Sequence, residues 1–552
     1  MAQVRSDRRC ALRLLILAVG LGVVWRVARY ALNLPVTGEE AFLLNNVLHL
    51  DYGQLLGPLA NAQAAPPVVL WLLRALATAT HSDWAVRAPA LLAGLATVTL
   101  FPLVMRRVVR GLDLWLGFAI FCVSYVPVTV ATRAKQYAFE LLASLIITGL
   151  ALWWLKRTSV MDGGGNDAAL ALRGASAAPP RAQAVSRPPQ SIVPMLILAL
   201  VCPFLFWCSL NSLFMGAGVG LVMLVYLLVH RRSVEVRSWL ALALLAGLAA
   251  LSFAALYLVN LRPALEAQGA VVLRDFWSDA FLPITQPWRI PGWLLSIHAG
   301  RMLAYPIGDK NFASILWLVF WIVGIVALAK RHRRWALAIL LAPQVVMMLV
   351  SATQLYPYGN DPRVNIALAP AICLLIGIGV GRTAARFSPN LRYRLVQGFA
   401  LFCCVVALGG LSLDVVDRFA GGASTRAVLA QVHRRAGAHD VVVCTQPNAP
   451  LAHGSKTQQI FQWYVHTSLS RPMHWDGQMP SPPPAGGYVY LIQFDDSGAD
   501  AAAAQAQAWG AAQPVELTHL EGWQSVRPYK EPGVVRVDRY RVGAAAADHV
   551  CH

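Results

Sequence analysis

Long apolar segments recur between residues 1 and 413, and they constrain the fold more than any other feature of the sequence. Eleven of them approach or exceed the length that a helix needs to cross about 30 Å of hydrocarbon. They occupy residues 14–25, 88–105, 115–131, 139–155, 192–207, 213–229, 239–259, 315–329, 335–350, 366–380 and 396–413. With 57% hydrophobic and 13% charged residues, the composition also departs from that of soluble proteins. The sequence predicts a mainly α, polytopic transmembrane bundle of about eleven spans.

The basic residues indicate how this bundle is oriented. Lys and Arg concentrate in alternate connecting segments, and such segments are retained in the cytoplasm. We therefore expect a cytoplasmic amino terminus and an extracytoplasmic tail. The net charge of +19 is spread over many short loops, which argues against a nucleic-acid partner. Arg26 and Arg29 lie near the outer end of the first span, where snorkelling to the interface would accommodate them.

Composition divides the chain into a transmembrane block, residues 1–413, and a tail, residues 414–552. Within the block, residues 158–190 are rich in Gly, Ala and Pro and predict a flexible cytoplasmic loop, and residues 260–310 predict a long outer loop. In the tail, helical patterns at 425–437 and 457–469, a short apolar strand at 439–446 and alternating patterns at 486–494 and 534–542 predict a small extracytoplasmic α/β domain. Its Cys444 and Cys551 could form a disulfide or remain two free thiols.

No nucleotide-binding glycine motif and no metal-ligand spacing is present in the sequence. We therefore expect no cofactor and assign no metal site, while a requirement for a divalent cation stays open. The outer loop interleaves aromatic residues with Arg274, Arg289, Arg301 and Lys310. This pattern fits either an interfacial loop held by any bilayer or a surface for an anionic lipid substrate.

An acid pair, Glu39 and Glu40, follows the first span in the segment LPVTGEEAFLL. Charge here does not help a helix to cross the bilayer, so the pair needs another explanation. One reading is functional. The other is structural, because acids in the first turn after Thr37 and Gly38 would stabilise a short helix through its dipole.

Several motifs of the transmembrane block stand in an order that resembles GT-C glycosyltransferases, specifically bacterial relatives of protein O-mannosyltransferases and lipid A aminoarabinose transferases. The matching segments are GEEAF at 38–42, APPVVLWLLRAL at 65–76, WAVRAPALLAGLATV with Arg87 and Pro89, KQYAFE with Lys135, Gln136, Tyr137 and Glu140, and YPYGNDPRVNIALAP with Tyr356, Pro357, Gly359, Arg363 and Pro370. Two departures are Glu39, where the family usually has Asp, and Asn360-Asp361-Pro362 before Arg363.

The resemblance implies an integral protein of the bacterial inner membrane that moves a hexose or pentose from a polyprenyl phosphate to an acceptor on the outer side, with inversion. The acceptor can be a lipid, a glycan or a protein. Glu39 would be the general base, and Glu40 beside it is a second candidate catalytic carboxylate. The candidate substrate-binding residues are Arg363, Lys135, Tyr137, Glu140, Tyr356 and Arg301.

Each of these residues also has a structural reading. Tyr137 and Tyr356 fit an aromatic belt, Lys135 and Glu140 fit an ion pair near a span end, and the arginines fit interfacial contacts. The competing function is a transporter or lipid flippase. That function predicts ionisable residues deep within the spans and internal repeats, and the sequence shows neither.

Overall fold

The computed structural model describes residues 2–61, 63–159, 192–232, 234–269, 274–331, 333–420, 425–444, 456–469, 486–494, 517–524 and 535–543. Helices dominate these residues. They are α1 Ala2–Leu32, α2 Gly38–His49, α3 Pro67–Thr80, α4 Asp83–Met105, α5 Leu112–Val123, α6 Tyr125–Val130, α7 Tyr137–Ser159, α8 Val193–Cys208, α9 Asn211–Val229, α10 Val236–Leu256, α11 Ile290–Ala299, α12 Ile315–Lys330, α13 Arg334–Ser351, α14 Ala369–Ala384, α15 Pro389–Ala420, α16 Thr425–Arg435 and α17 Lys456–Ser468. The mainly α prediction is confirmed.

Eight helices in the described part of the chain are long and apolar enough to cross a membrane. Each of them contains one of the eleven predicted spans. The remaining three predicted spans form shorter helices, because 115–131 is divided between α5 and α6, and α8 and α12 have 16 residues each. The chain is an integral membrane protein, and the count of eleven stays a prediction.

A buried arginine lies at the break between α5 and α6. Ser124 is extended between the two helices, and Pro127 has no amide hydrogen to donate to the Val123 carbonyl. Arg26 Nη1 donates to the neighbouring carbonyl oxygen of Cys122 at 2.6 Å. Because the Arg26 side chain is only 1% exposed, the expectation that it snorkels to the interface is wrong. Arg29 is buried too, in an ion pair with Asp414.

The predicted outer loop at 260–310 begins later than expected. The helix that starts as α10 continues through two π-helical turns, Tyr257–Leu261 and Leu265–Gly269. Residues 260–269 are therefore helical. Further along, α11 forms a second helical part of the same region. The proposed cytoplasmic loop at 158–190 lies outside the described residues, except for its first two positions.

The chain divides into two compact units. The first unit contains residues 1–27, 65–69 and 89–410, and the second contains 28–64, 70–88 and 411–552. The second unit thus combines the tail with the acid-pair segment that follows the first span. The predicted boundary at 413 between block and tail stays a prediction.

Four strands form the sheet of the tail: β1 Val441–Cys444, β2 Tyr488–Phe494, β3 Leu517–Gln524 and β4 Val535–Val542. Their order is β1-β2-β4-β3, with β1 and β2 parallel and the other pairs antiparallel. The buried core of the sheet contains Val443, Val489, Leu491, Tyr540 and Val542. Helices and strands fall where the sequence predicted them, except that β3 was not predicted. The Cys444 to Cys551 pairing lies outside the described residues, since Cys551 is not among them.

Candidate functional site

The acid pair lies in the first turn of α2, in the second unit. Thr37 caps this helix, because its hydroxyl accepts from the Glu40 amide at 3.4 Å and the Glu40 carboxylate accepts from the Thr37 amide at 3.1 Å. This reciprocal capping box is the arrangement that a Thr followed three residues later by Glu favours. Glu40 thus makes the contacts that the structural reading predicts, and its catalytic role stays a prediction.

Arg87 fixes Glu40 further. Its Nε donates to Oε1 and its Nη2 to Oε2 of Glu40, each at 3.0 Å. Its Nη1 donates to the carbonyl oxygen of Leu34 at 2.6 Å. Both side chains are buried, so Arg87 ties the acid pair to the segment that precedes it. With both oxygens engaged by Arg87 and Thr37, Glu40 is poorly suited to accept a proton.

Glu39 differs from its neighbour in exposure. It is half-buried, whereas Glu40 is 1% exposed. Successive residues of an α-helix point about 100° apart, so the two carboxylates leave α2 in different directions. Of the two acids, Glu39 is the residue that is more exposed to solvent.

Helices of the tail contact the segment around the acid pair within the second unit. The Tyr464 hydroxyl accepts from the Val36 amide at 2.6 Å, and Asn45 Nδ2 donates to Gln459 Oε1 at 2.7 Å. Trp463 Nε1 donates to Asp83 at 2.6 Å. Tyr464, Gln459 and Trp463 all lie on α17, so this helix packs beside α2 and its approach.

In the first unit, Asn211 joins two of the predicted residues. Its Nδ2 donates to Glu140 Oε2 at 2.6 Å and to the Val364 carbonyl oxygen at 2.8 Å. The Tyr356 hydroxyl lies 2.5 Å from Asn211 Oδ1. Burial raises the pKa of Tyr356 well above its ordinary value, and nearby Glu140 and Tyr137 act in the same direction. Tyr356 therefore remains a protonated donor, with Asn211 and the Val364 carbonyl oxygen as its partners.

Two predicted arginines of the first unit face one carboxylate. Arg363 donates from Nη2 to Asp361 Oδ2 at 2.5 Å and from Nε to Oδ1 at 3.0 Å. Burial alone would raise the pKa of Asp361, but the hydrogen bonds and charge of Arg363, with a contribution from Arg301, lower it. Arg301 in turn donates to Asp309 at 2.7 Å. The segment 356–365 thus contains Tyr356 and Arg363, and Arg301 lies close enough to it to act electrostatically on Asp361.

The remaining predicted residues of the first unit, Lys135 and Tyr137, lie at the start of α7. Lys135 is 6% exposed in the turn before that helix, and Tyr137 is its first residue and half-buried. Tyr137 acts electrostatically on Tyr356. In the described part of the chain, no three His, Cys, Asp or Glu side chains are grouped as metal ligands.

Three residues with central contacts had no assigned role at the sequence level: Arg87, Asn211 and Asp361. Arg87 was noticed only as part of an Arg-x-Pro motif. Asn211 begins α9, two residues before a predicted span, and a polar residue in such a position is a signal of a possible site. Asp361 was noticed only as a departure from the family pattern.

No protein-family model and no curated protein matches the sequence. Solved structures do match: that of ArnT from Cupriavidus metallidurans bound to undecaprenyl phosphate has 12% identity and a TM-score of 0.48, covering 95% of this chain and 97% of that one. The archaeal oligosaccharyltransferase AglB from Archaeoglobus fulgidus, in complex with an inhibitory peptide and a dolichol-phosphate, has 12% identity and a TM-score of 0.42, covering 83% of this chain and 64% of that one. At these values the similarity assigns no residue role and no activity.

Proposed function

We propose that the protein transfers a sugar from a polyprenyl-phosphate donor to an acceptor on the extracytoplasmic side of the bacterial inner membrane, with inversion. The observation that carries this proposal is the division of the acid pair. Glu40 is held by Arg87 and Thr37, while Glu39 beside it stays half-buried. A buried, fixed acid next to a partly exposed one is an arrangement in which the second can serve as a positioned general base.

In this mechanism Glu39 accepts the proton of an acceptor hydroxyl while that oxygen attacks the anomeric carbon of the donor sugar. The bond from that carbon to the phosphate oxygen breaks, and the polyprenyl phosphate leaves with the electron pair. A phosphate is a competent leaving group, so a second carboxylic acid is not needed to protonate it.

Charge that develops on the departing phosphate requires fixed cations. Arg363 is the main candidate, because Asp361 holds its guanidinium through two nitrogens. Arg301 and Lys135 are assigned supporting roles, and Tyr356, Tyr137 and Glu140 line the neighbouring polar network. Guanidinium groups held in this way lose little rotamer freedom when they bind a phosphate.

The transporter alternative predicts ionisable residues buried in the spans, and Arg26 is such a residue. However, Arg26 donates to the backbone carbonyls of Gly22 and Cys122. These contacts give it a structural role at the end of α5, so Arg26 does not favour transport.

The proposal is tested with purified protein and a lipid extract from membranes of the source cell. Mass spectrometry should detect free polyprenyl phosphate that accumulates with the wild-type protein and not with Glu39→Gln. Comparison of envelope glycolipids, glycans and glycoproteins from cells with and without the protein then identifies the species that loses one sugar. Absence of released polyprenyl phosphate with folded wild-type protein and a complete extract would refute the transferase assignment.

A further inference from the structure

We propose that Tyr464 is a positioning residue, through which the tail holds the segment that carries Glu39 and Glu40. The part of this inference that concerns catalysis rests on the proposed function, whereas the structural part does not. In this proposal, helix α17 of the tail fixes the position of the backbone at which α2 begins.

The central contact joins the Tyr464 hydroxyl to the backbone just before the acid pair. This hydroxyl accepts from the amide of Val36 at 2.6 Å, three residues before Glu39. Val36 is 1% exposed and Tyr464 is fully buried. A buried amide that loses its acceptor is costly, so the contact fixes the path of the chain into α2.

Burial raises the pKa of Tyr464 above its ordinary value, with nearby Asp83 acting in the same direction. The hydroxyl is therefore neutral at any physiological pH and is a constant acceptor for Val36. Arg87, which holds Glu40, also lies close enough to act electrostatically on Tyr464. Tyr464 thus belongs to the same buried group of residues as the Glu40 ion pair.

Two further contacts fix the same region from either side of the acid pair. Behind the pair, Asn45 on α2 donates to the carbonyl oxygen of Gln459 at 2.9 Å. Ahead of it, Arg426 on α16 donates to the carbonyl oxygen of Asn33 at 3.2 Å. The acid pair is consequently bracketed by tail contacts, with the Tyr464 contact nearest to it.

The structural part is tested by hydrogen exchange of the full-length protein in detergent, without any ligand. Tyr464→Phe keeps the ring and removes the oxygen that accepts from Val36. Tyr490→Phe is the matched control, because it removes the same atom from a buried tyrosine in the sheet of the same tail. Amides of the segment from Val36 to Ala41 should exchange about three- to tenfold faster in Tyr464→Phe, as expected for loss of one hydrogen bond. They should be unchanged in Tyr490→Phe.

The catalytic part is tested by the release of polyprenyl phosphate from the lipid extract. Tyr464→Phe should lower kcat by about three- to tenfold and leave KM for the lipid-linked donor within about twofold, because the base is displaced while the phosphate contacts are not. Tyr490→Phe should behave as wild type. Equal exchange rates and equal kcat in the two variants would overturn the positioning role. If exchange differs as predicted but the wild-type protein releases no polyprenyl phosphate, only the proposed function fails.

Discussion

Arg87 donates to both carboxylate oxygens of Glu40, each at 3.0 Å, from a helix that begins 43 residues after that acid. Neither side chain is more than 5% exposed. Such a pair is weak evidence of net stability, but removing one partner leaves an uncompensated buried charge. The pair therefore serves mainly to specify where α2 lies.

The first prediction follows from this burial. Arg87→Met should destabilise the protein by about 3 to 5 kcal/mol, because Glu40 loses its partner in a buried setting. Thermal unfolding in detergent measures the effect. Arg262→Met is the control, since Arg262 pairs with Glu266 on an exposed helical surface, and its unfolding temperature should not change. Equal unfolding temperatures for both variants would contradict the burial of the Arg87 pair.

The second prediction concerns Arg363 and Asp361. Arg363→Ala should weaken binding of undecaprenyl phosphate by about 1.5 to 3 kcal/mol, which is the range for a charged hydrogen bond. Asp361→Asn removes the carboxylate that holds the guanidinium in place, so its affinity should also fall, but by less than that of Arg363→Ala. Titration of the folded variants with undecaprenyl phosphate measures both. Unchanged affinity in Arg363→Ala would show that Arg363 does not bind the phosphate and makes only structural or interfacial contacts.

The third prediction concerns Asn211. Asn211→Leu should destabilise the protein by about 1 to 3 kcal/mol, because Glu140 and Tyr356 lose a buried partner. Combining it with Glu140→Met should cost less than the sum of the two single changes, since the carboxylate that needed the donor is gone. A double-mutant cycle by thermal unfolding decides this. Strict additivity would show that Asn211 and Glu140 do not interact.

The fourth prediction is a pH dependence at His298. Its Nδ1 donates to the Leu294 carbonyl oxygen at 2.8 Å, and its Nε2 lies 3.0 Å from the Tyr358 hydroxyl and 3.2 Å from the Gln344 amide nitrogen. Because an amide nitrogen can only donate, this arrangement favours a neutral ring with an unprotonated Nε2. Burial lowers the pKa of His298 below its ordinary value. The unfolded chain then binds the proton more readily than the folded chain, so stability falls as pH drops below about 6.5.

This dependence is measured as the difference in unfolding temperature between pH 7.5 and pH 5.5. His298→Gln should reduce the difference relative to wild type. His433→Gln, which changes an exposed histidine in α16, should leave it as it is. A wild-type protein and a His298→Gln variant with the same pH dependence would argue against a neutral buried His298.

The sequence predicted features that depend on neighbours along the chain. The apolar spans follow from segment length, and the capping box of α2 follows from Thr37 and Glu40, three residues apart. Alternating patterns located β2 and β4, and a short apolar run located β1. Strand β3 was not predicted, because its bulge between His519 and Glu521 interrupts the alternation of apolar and polar residues.

Contacts between distant residues were not predictable from these patterns. Arg87 reaches Glu40 across 47 positions and Asn211 reaches Glu140 across 71. Arg26 is the clearest case, because a cation near a span end fits snorkelling and buried capping equally well until the break at Ser124 is known. The tertiary packing around Arg26 shows that it is buried and does not snorkel to the interface.

The role of Glu39 as general base is the central claim, and Glu39→Gln tests it most directly. This change keeps the shape of the side chain and removes its basicity. The rate of polyprenyl phosphate release should fall about a hundred- to ten-thousand-fold while undecaprenyl phosphate still binds, the scale expected for loss of a general base. Glu40→Gln, which retains the capping position, should lose less. Full release by Glu39→Gln at equal expression, or a larger loss in Glu40→Gln than in Glu39→Gln, would contradict the account.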